Sequence, residues 1–229
     1  MQSTRWTLIQ RAGREDDVGR RALEELCAIY WPGVYEFLRQ KCGDSEKARD
    51  LTQGFFLDLL SRGDLATIQP GKGRFRSFLF KASQNFAAKE RDRESAQKRG
   101  GGQVPVFLSE LDGEFLPEPR ATETPEAAYD RAWAQALVNQ SLMRLRDEQV
   151  AKGKGELHDR LLPWLQAEGL PGGYKALAEE IGKSEGALKV AVFRMRERFR
   201  ELLLLEVGQT LGDGEDPLQE LRELLAALS

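Results

Sequence analysis

The sequence predicts an all-α protein: two small helical domains joined by an acidic linker, the second a helix-turn-helix domain. Three observations predict it. Alternating Val-, Ile- and Thr-rich runs, the mark of strands, are missing, while Ala, Leu, Glu, Arg and Lys fill most segments. Apolar residues recur at helical spacing on either side of a break. The break, residues 103–126, contains Pro105, Pro117, Pro119 and Pro125, shows no sustained period, and sets six acids against one arginine.

Over residues 18–40, Leu23, Leu26, Cys27, Tyr30, Val34, Phe37 and Leu38 mark one helix face. Pro32, which has no N–H to donate, is expected to kink or divide that helix near Trp31. Asp44 or Ser45 caps the next helix, in which Ala48, Leu51, Phe55 and Leu59 form a stripe. A turn-rich stretch with Pro70, Gly71 and Gly73 follows. Residues 74–98 then read as one long basic helix, stopped by Gly100, Gly101 and Gly102. Past the linker, a helix over 125–146 carries Trp133, Leu137, Leu142 and Leu145. A loop at 152–155 leads to a short helix at 157–167. Helices at 174–181 and 184–207 are joined by Gly182 and Lys183. Residues 213–216 break the chain once more, and Leu218, Leu221, Leu224 and Leu225 pattern a short end helix. The expected division is a domain at 1–102, a linker at 103–126, a domain at 127–205 and an extension at 206–229.

A length of 229 residues suits one large domain or two small ones, and 41% hydrophobic residues suffice for packed cores. No run approaches the roughly 18 apolar residues of a membrane span, and the first residues lack a signal peptide's apolar run. Cys27 and Cys42 have no metal-like spacing and are expected to be reduced and partly buried. A cytoplasmic protein with no cofactor is expected. The net charge of −3 conceals strong blocks. Residues 72–99 hold nine Lys/Arg against three acids, a net of +6, and residues 183–200 a net of +4; residues 103–126 and 206–229 each carry −5. Separated basic blocks are the local footprint of a polyanion-binding surface.

The sharpest local signal lies at 174–200. Leu177, Ala178 and Ile181 face inward from a two-turn helix, Gly182 supplies the positive φ of a tight turn, and Ser184 caps the second helix. Leu188, Val192, Met195 and Phe199 are spaced to pack inward. That leaves Glu185, Lys189, Val190, Phe193, Arg194 and Arg196 turned outward or flanking. Such a helix fits the major groove of duplex DNA, with its early residues at base edges and later arginines at phosphates.

A second signal is the interleaving of bases and rings at 71–86. Aromatic faces stack on unpaired bases at about 1–3 kcal/mol each while cations hold the backbone. Phe78, Leu79 and Phe86 read as core; Phe75, Gln84 and Asn85 read as candidates for base contact, with Lys72, Arg74, Arg76, Lys81 and Lys89 as the cations. Lys72 sits among glycines, yet Gly71-Lys72-Gly73 lacks the P-loop spacing, and His158, the single histidine, has no evident nucleophile or metal partner and reads as a surface residue. An enzyme is not expected.

In their order and separation these elements resemble the extracytoplasmic-function (ECF) group of bacterial sigma factors. The residues that carry the resemblance are Ala48-Arg49-Asp50-Leu51-Thr52-Gln53-Gly54-Phe55-Phe56, then Gly73-Arg74-Phe75-Arg76-Ser77-Phe78-Leu79 and Ser83-Gln84-Asn85-Phe86, and in the second domain residues 176–196. The resemblance implies that Asp50 and Gln53 dock on the clamp of the largest subunit of RNA polymerase core. Their i, i+3 spacing puts them on one helix face. It implies that Lys72, Arg74, Phe75, Arg76, Lys81, Gln84, Asn85 and Lys89 open the −10 promoter element and capture its bases. Ser184, Glu185, Lys189, Val190, Phe193, Arg194 and Arg196 would read the −35 element as duplex, with the second-largest subunit's flap beside them. An anti-sigma factor joins promoter DNA and core polymerase among the partners such a chain can have, and no membrane does.

The chain departs from the group at several points. Arg49 stands where Glu is frequent, Phe193 where His is common and Val190 where Ser or Arg is common, so no promoter preference carries over. The loop at 152–156 is longer than usual. Residues 206–229 lie past the usual end, and their acidic, leucine-patterned helix either folds back on a basic surface and gates DNA binding or packs as a terminal helix. The rival readings are a stand-alone helix-turn-helix regulator, which needs only residues 172–201, and a hydrolase or nucleotide-binding enzyme.

Overall fold

The computed structural model describes residues 17–61, 74–97, 123–166, 173–211 and 214–228. Among them the chain is all-helical, as expected: α1 (Asp17–Cys42), α2 (Ser45–Ser61), α3 (Phe75–Gln97), α4 (Pro125–Ala151), α5 (Gly155–Gln166), α6 (Gly173–Ile181), α7 (Glu185–Gly208) and α8 (Pro217–Ala226). None of these helices is long and apolar enough to cross a membrane. The expected turns at 62–73, the glycine stop at 100–102, the linker up to residue 122 and the side chain of Leu23 lie outside the described residues.

The described residues fall into two compact units, one within Met1–Leu137 with Val207–Ser229 and the other within Val138–Glu206. This differs from the division read in the sequence. The boundary falls inside α4 and not at its start, because Tyr129, Ala132, Trp133 and Leu137 are buried in the first unit while Leu145 belongs to the core of the second. The C-terminal extension also belongs to the first unit.

In the first unit α1 runs through Pro32 as one helix, so the proline does not divide it. Tyr30, Trp31, Val34, Tyr35, Phe37 and Leu38 are all buried around it, and packing of this extent outweighs one missing backbone hydrogen bond. Asp44, and not Ser45, caps α2: its Oδ1 accepts from the Lys47 N–H at 2.9 Å. The buried face of α2 is Ala48, Thr52, Phe55, Phe56 and Leu59. Thr52 tolerates burial because its hydroxyl donates to the Ala48 carbonyl at 2.6 Å. Leu51, expected in that stripe, is half-buried. Rings then tie the helices together, with Trp31 stacked on Phe56 at 5.7 Å and Phe37 edge-on to Phe80 at 5.2 Å.

The second unit is built around Leu145, Leu161, Trp164, Ala178, Leu188, Val192, Met195 and Leu202. Two bidentate pairs fasten its helices: Arg146 to Asp159 (2.9 and 3.0 Å) and Arg198 to Glu148 (2.8 and 2.7 Å). His158 is buried, not on the surface as its sequence suggested. It shares the inward face of α5 with Leu161, and its Nδ1 lies 3.1 Å from Asp159 Oδ1. Cys27 is buried and Cys42 half-buried, both as thiols and not as a disulfide.

Candidate nucleic-acid interface

The geometry of the second unit begins with a tight turn. Gly182 takes a φ of 69°, the left-handed region that an L side chain avoids. The Lys183 N–H closes the turn on the Ala178 carbonyl at 3.1 Å. Ser184 then caps α7, its Oγ accepting from the Ala187 N–H at 3.2 Å. With Leu188, Val192 and Met195 buried, the opposite stripe of α7 is fixed. Gly186, Lys189, Val190 and Phe193 follow one another at i, i+3, i+4 and i+7, and all are exposed. Phe193 is 64% exposed and Val190 49%, a marked departure for apolar side chains on a helix this well packed on its other face. Among the described residues nothing beyond the helix's own backbone and chain neighbours lies within 4 Å of a Cβ added at Gly186, so their packing does not demand a glycine there.

Lys189 reaches Glu185 at 3.8 Å and lies over the Tyr174 ring at 5.6 Å, and Arg194 is exposed. Arg196 is the exception among the residues assigned to this face. Its Nη2 donates to the Trp164 carbonyl at 2.8 Å, which turns the guanidinium toward α5 and away from the stripe.

In the first unit, α3 presents two different edges. Along one face Phe78, Lys81, Ala82, Asn85, Phe86 and Lys89 meet Phe55, Asp58 and Leu59 of α2 around an open cleft of about 220 Å³. Gly54 lets the helices close at this point, since a Cβ there would sit 3.3 Å from the Phe86 ring. Lys81, Asn85 and Lys89 are exposed on the rim, and the half-buried rings of Phe78 and Phe86 form walls. Phe78 and Phe86, read in the sequence as core, therefore line the cleft.

Phe75, read in the sequence as a base-contacting ring, is 2% exposed. It stands edge-on to Tyr30 at 5.0 Å and stacks on Phe78 at 5.9 Å, so it is core. Gln84 points to the other side of α3, where its amide lies 3.5 Å from Glu126 Oε1, and it does not share the cleft with Asn85. Lys72 lies outside the described residues.

The second edge is the start of α3. Arg74 Nε donates to Glu215 Oε1 at 3.2 Å, and its Nη1 contacts Glu223 (2.8 Å) and Glu220. Arg76 Nη2 meets Glu220 at 3.0 Å, its Nη1 meets Asp130, and its guanidinium lies over the Trp133 ring at 5.2 Å. Glu220 is 1% exposed. Burial pushes its carboxyl above the usual carboxylate range, and Arg76 and Arg74 pull it back only in part. The exposed Glu223 goes the other way, because hydrogen bonds from Arg74 and Gln219 hold its carboxyl below that range. Asp216 caps α8 by accepting from the Leu218 N–H at 2.9 Å, and Leu221 and Leu224 bury its other face.

Asp50 is exposed and Gln53 half-buried on the outer face of α2, in line with the exposed Leu57 one turn on. The sequence reading missed Phe55, Asp58, Phe78 and Phe86 as cleft residues. The signal was present, since 78, 82, 85, 86 and 89 share one helical face. No protein-family model, curated protein or solved structure matches the chain.

Proposed function

We propose that this chain is a non-enzymatic promoter-recognition factor of bacterial transcription. More narrowly, we propose a sigma factor of the ECF group, cytoplasmic, which binds RNA polymerase core and directs it to promoters. The observation that carries this reading is the pairing of two unlike surfaces on one chain. The cleft beside α3 combines half-buried rings, an exposed amide and exposed lysines, a set suited to an unstacked base and its backbone. At about 220 Å³ it falls short of the roughly 300–1,000 Å³ of small-molecule sites, which favours a group of single-base size over a free cofactor. The exposed stripe of α7 suits the major groove, where Val190 and Phe193 offer apolar contact to thymine methyl groups and Lys189 and Arg194 reach edges or phosphates.

Initiation then proceeds by recruitment and melting. The polymerase supplies the chemistry, and this chain reads a −35 element as duplex and captures unpaired −10 bases as the strands part. Asp50 and Gln53, with Leu57, form the face offered to the polymerase clamp; the second unit lies beside the flap of the second-largest subunit. Co-elution with purified core polymerase at low ionic strength tests the reading. The wild-type chain is expected to co-elute and the Asp50→Ala/Gln53→Ala variant to lose association. A chain that binds duplex DNA and never binds core polymerase is a stand-alone helix-turn-helix regulator.

A further inference from the structure

The start of α3 carries two arginines, and both are already occupied by carboxylates of the same chain. Arg74 and Arg76 contribute two positive charges; Glu215, Glu220, Glu223 and Asp130 contribute four negative ones within ion-pair distance. With α8 in place, carboxylates outnumber these two guanidiniums two to one, although the sequence around them is the most basic of the chain.

The manner of occupation says what the arginines are built for. A guanidinium presents its N–H donors in a planar fork that matches carboxylate and phosphate alike. Arg74 binds three carboxylates at once and Arg76 two, with Glu220 bridging them from a fully buried position. Arg76 is further held by the Trp133 face, and its backbone carbonyl accepts from the Tyr129 hydroxyl at 3.0 Å. The Arg76 guanidinium is thus also held by α4, through Trp133 and Asp130. Three of the four carboxylates come from the C-terminal segment, and only Asp130 comes from the supporting helix.

We infer that Arg74 and Arg76 form a binding surface for the phosphate backbone of single-stranded DNA, and that α8 occupies it as an intramolecular competitor. This rests on the proposed reading of α3 as a nucleic-acid surface. Strand capture at the neighbouring cleft and displacement of α8 are then one event. The backbone takes over the guanidiniums as Glu215, Glu220 and Glu223 leave, and the chain alone holds single strands weakly until α8 is released.

The test uses the full chain and a fluorescein-labelled, mixed-sequence 20-nucleotide single strand, read by anisotropy across a salt series. The variant Glu215→Gln/Glu220→Gln/Glu223→Gln keeps side-chain shape and removes the competing charge. It is expected to bind at least about tenfold more tightly, and its plot of log K against log salt to steepen by about 1.4, two added phosphate contacts at roughly 0.7 each. Replacing Arg74 and Arg76 by Ala in that variant is expected to abolish the gain. The charge-matched control Glu46→Gln/Asp147→Asn/Glu156→Gln, at exposed sites elsewhere, is expected to leave the slope unchanged. Should the triple variant misfold, Glu215→Gln/Glu223→Gln spares buried Glu220 and is expected to give a smaller gain of the same sign. Equal affinity and slope in wild type and variants overturn the inference and leave the reading of α3 standing. Absence of single-strand binding in every variant overturns both.

Discussion

The start of α3 and the outer face of α7 read alike in the sequence, as basic helical segments beside a break, yet the folded chain treats them in opposite ways. Arg74 and Arg76 are covered by carboxylates of α8 and by Asp130. Lys189 and Arg194 stand in the open, with Val190 and Phe193 exposed between them. One surface is closed by the chain itself and the other is offered to solvent. Local charge in a sequence therefore names a candidate surface, but only the partners of each cation decide whether it is presented.

The largest expected effects come from removing what each surface is built on. Trp133, 0% exposed, stacks on Tyr30 and carries Arg76, and Leu188, also fully buried, backs the exposed stripe of α7. Trp133→Ala is expected to cost about 3–5 kcal/mol and Leu188→Ala about 2–5 kcal/mol in urea unfolding. A loss under 1 kcal/mol at either site contradicts the packing described for it.

Next in size is a binding effect without a stability effect. Lys189→Ala/Arg194→Ala is expected to weaken duplex DNA binding and to lower the salt slope by up to about 1.8, two contacts at roughly 0.9 each. Unfolding should stay within about 0.5 kcal/mol of wild type, since both side chains are exposed. Unchanged duplex affinity, measured by gel shift over a salt series, removes the assigned face.

Helix caps separate the two regions on a smaller scale. Ser184→Ala and Asp216→Ala each remove an N-cap and are expected to cost about 1 kcal/mol. Only the second should loosen α8, giving faster amide exchange there and tighter binding of single-stranded DNA. Equal single-strand affinity in the two variants contradicts the competition inferred for α8.

The smallest effect is a pH dependence confined to the second unit. Hydrogen bonds from Arg146 and then His158 lower the Asp159 carboxyl from 3.8 to about 2. A depressed carboxyl stabilises the fold above its unfolded value and loses that contribution as pH falls through its folded one. The difference in melting temperature between wild type and Asp159→Asn is therefore expected to be constant above about pH 5 and to shrink progressively to its minimum near about pH 1, below both values. A difference equally large at about pH 6 and about pH 1 contradicts the pair.

Much of this fold was legible because local signals and tertiary packing agree. Gly182, the Ser184 cap and the Leu188/Val192/Met195 spacing mark the helix pair without ambiguity, and the structure has all of them in place. The rest was lost where the decisive partner lies far along the chain. Phe75 and Phe78 are three residues apart on one basic helix, and what separates core from cleft is Tyr30 on one side and Phe55 with Asp58 on the other. Arg196 belongs by sequence to a basic run, but the Trp164 carbonyl takes its guanidinium. The leucine spacing of α8 announced a helix; that Glu220 would be buried between two arginines some 145 residues earlier had no local signal. Pro32 shows the converse, a strong local breaker overruled by the burial around it.

Run-off transcription by purified bacterial core polymerase on a promoter library, with and without this chain, tests the central claim most directly. The account predicts discrete transcripts that appear only when the chain is added, from templates sharing two spaced elements upstream of the start. Identical transcription with and without the chain, from a core enzyme active with another factor, contradicts it.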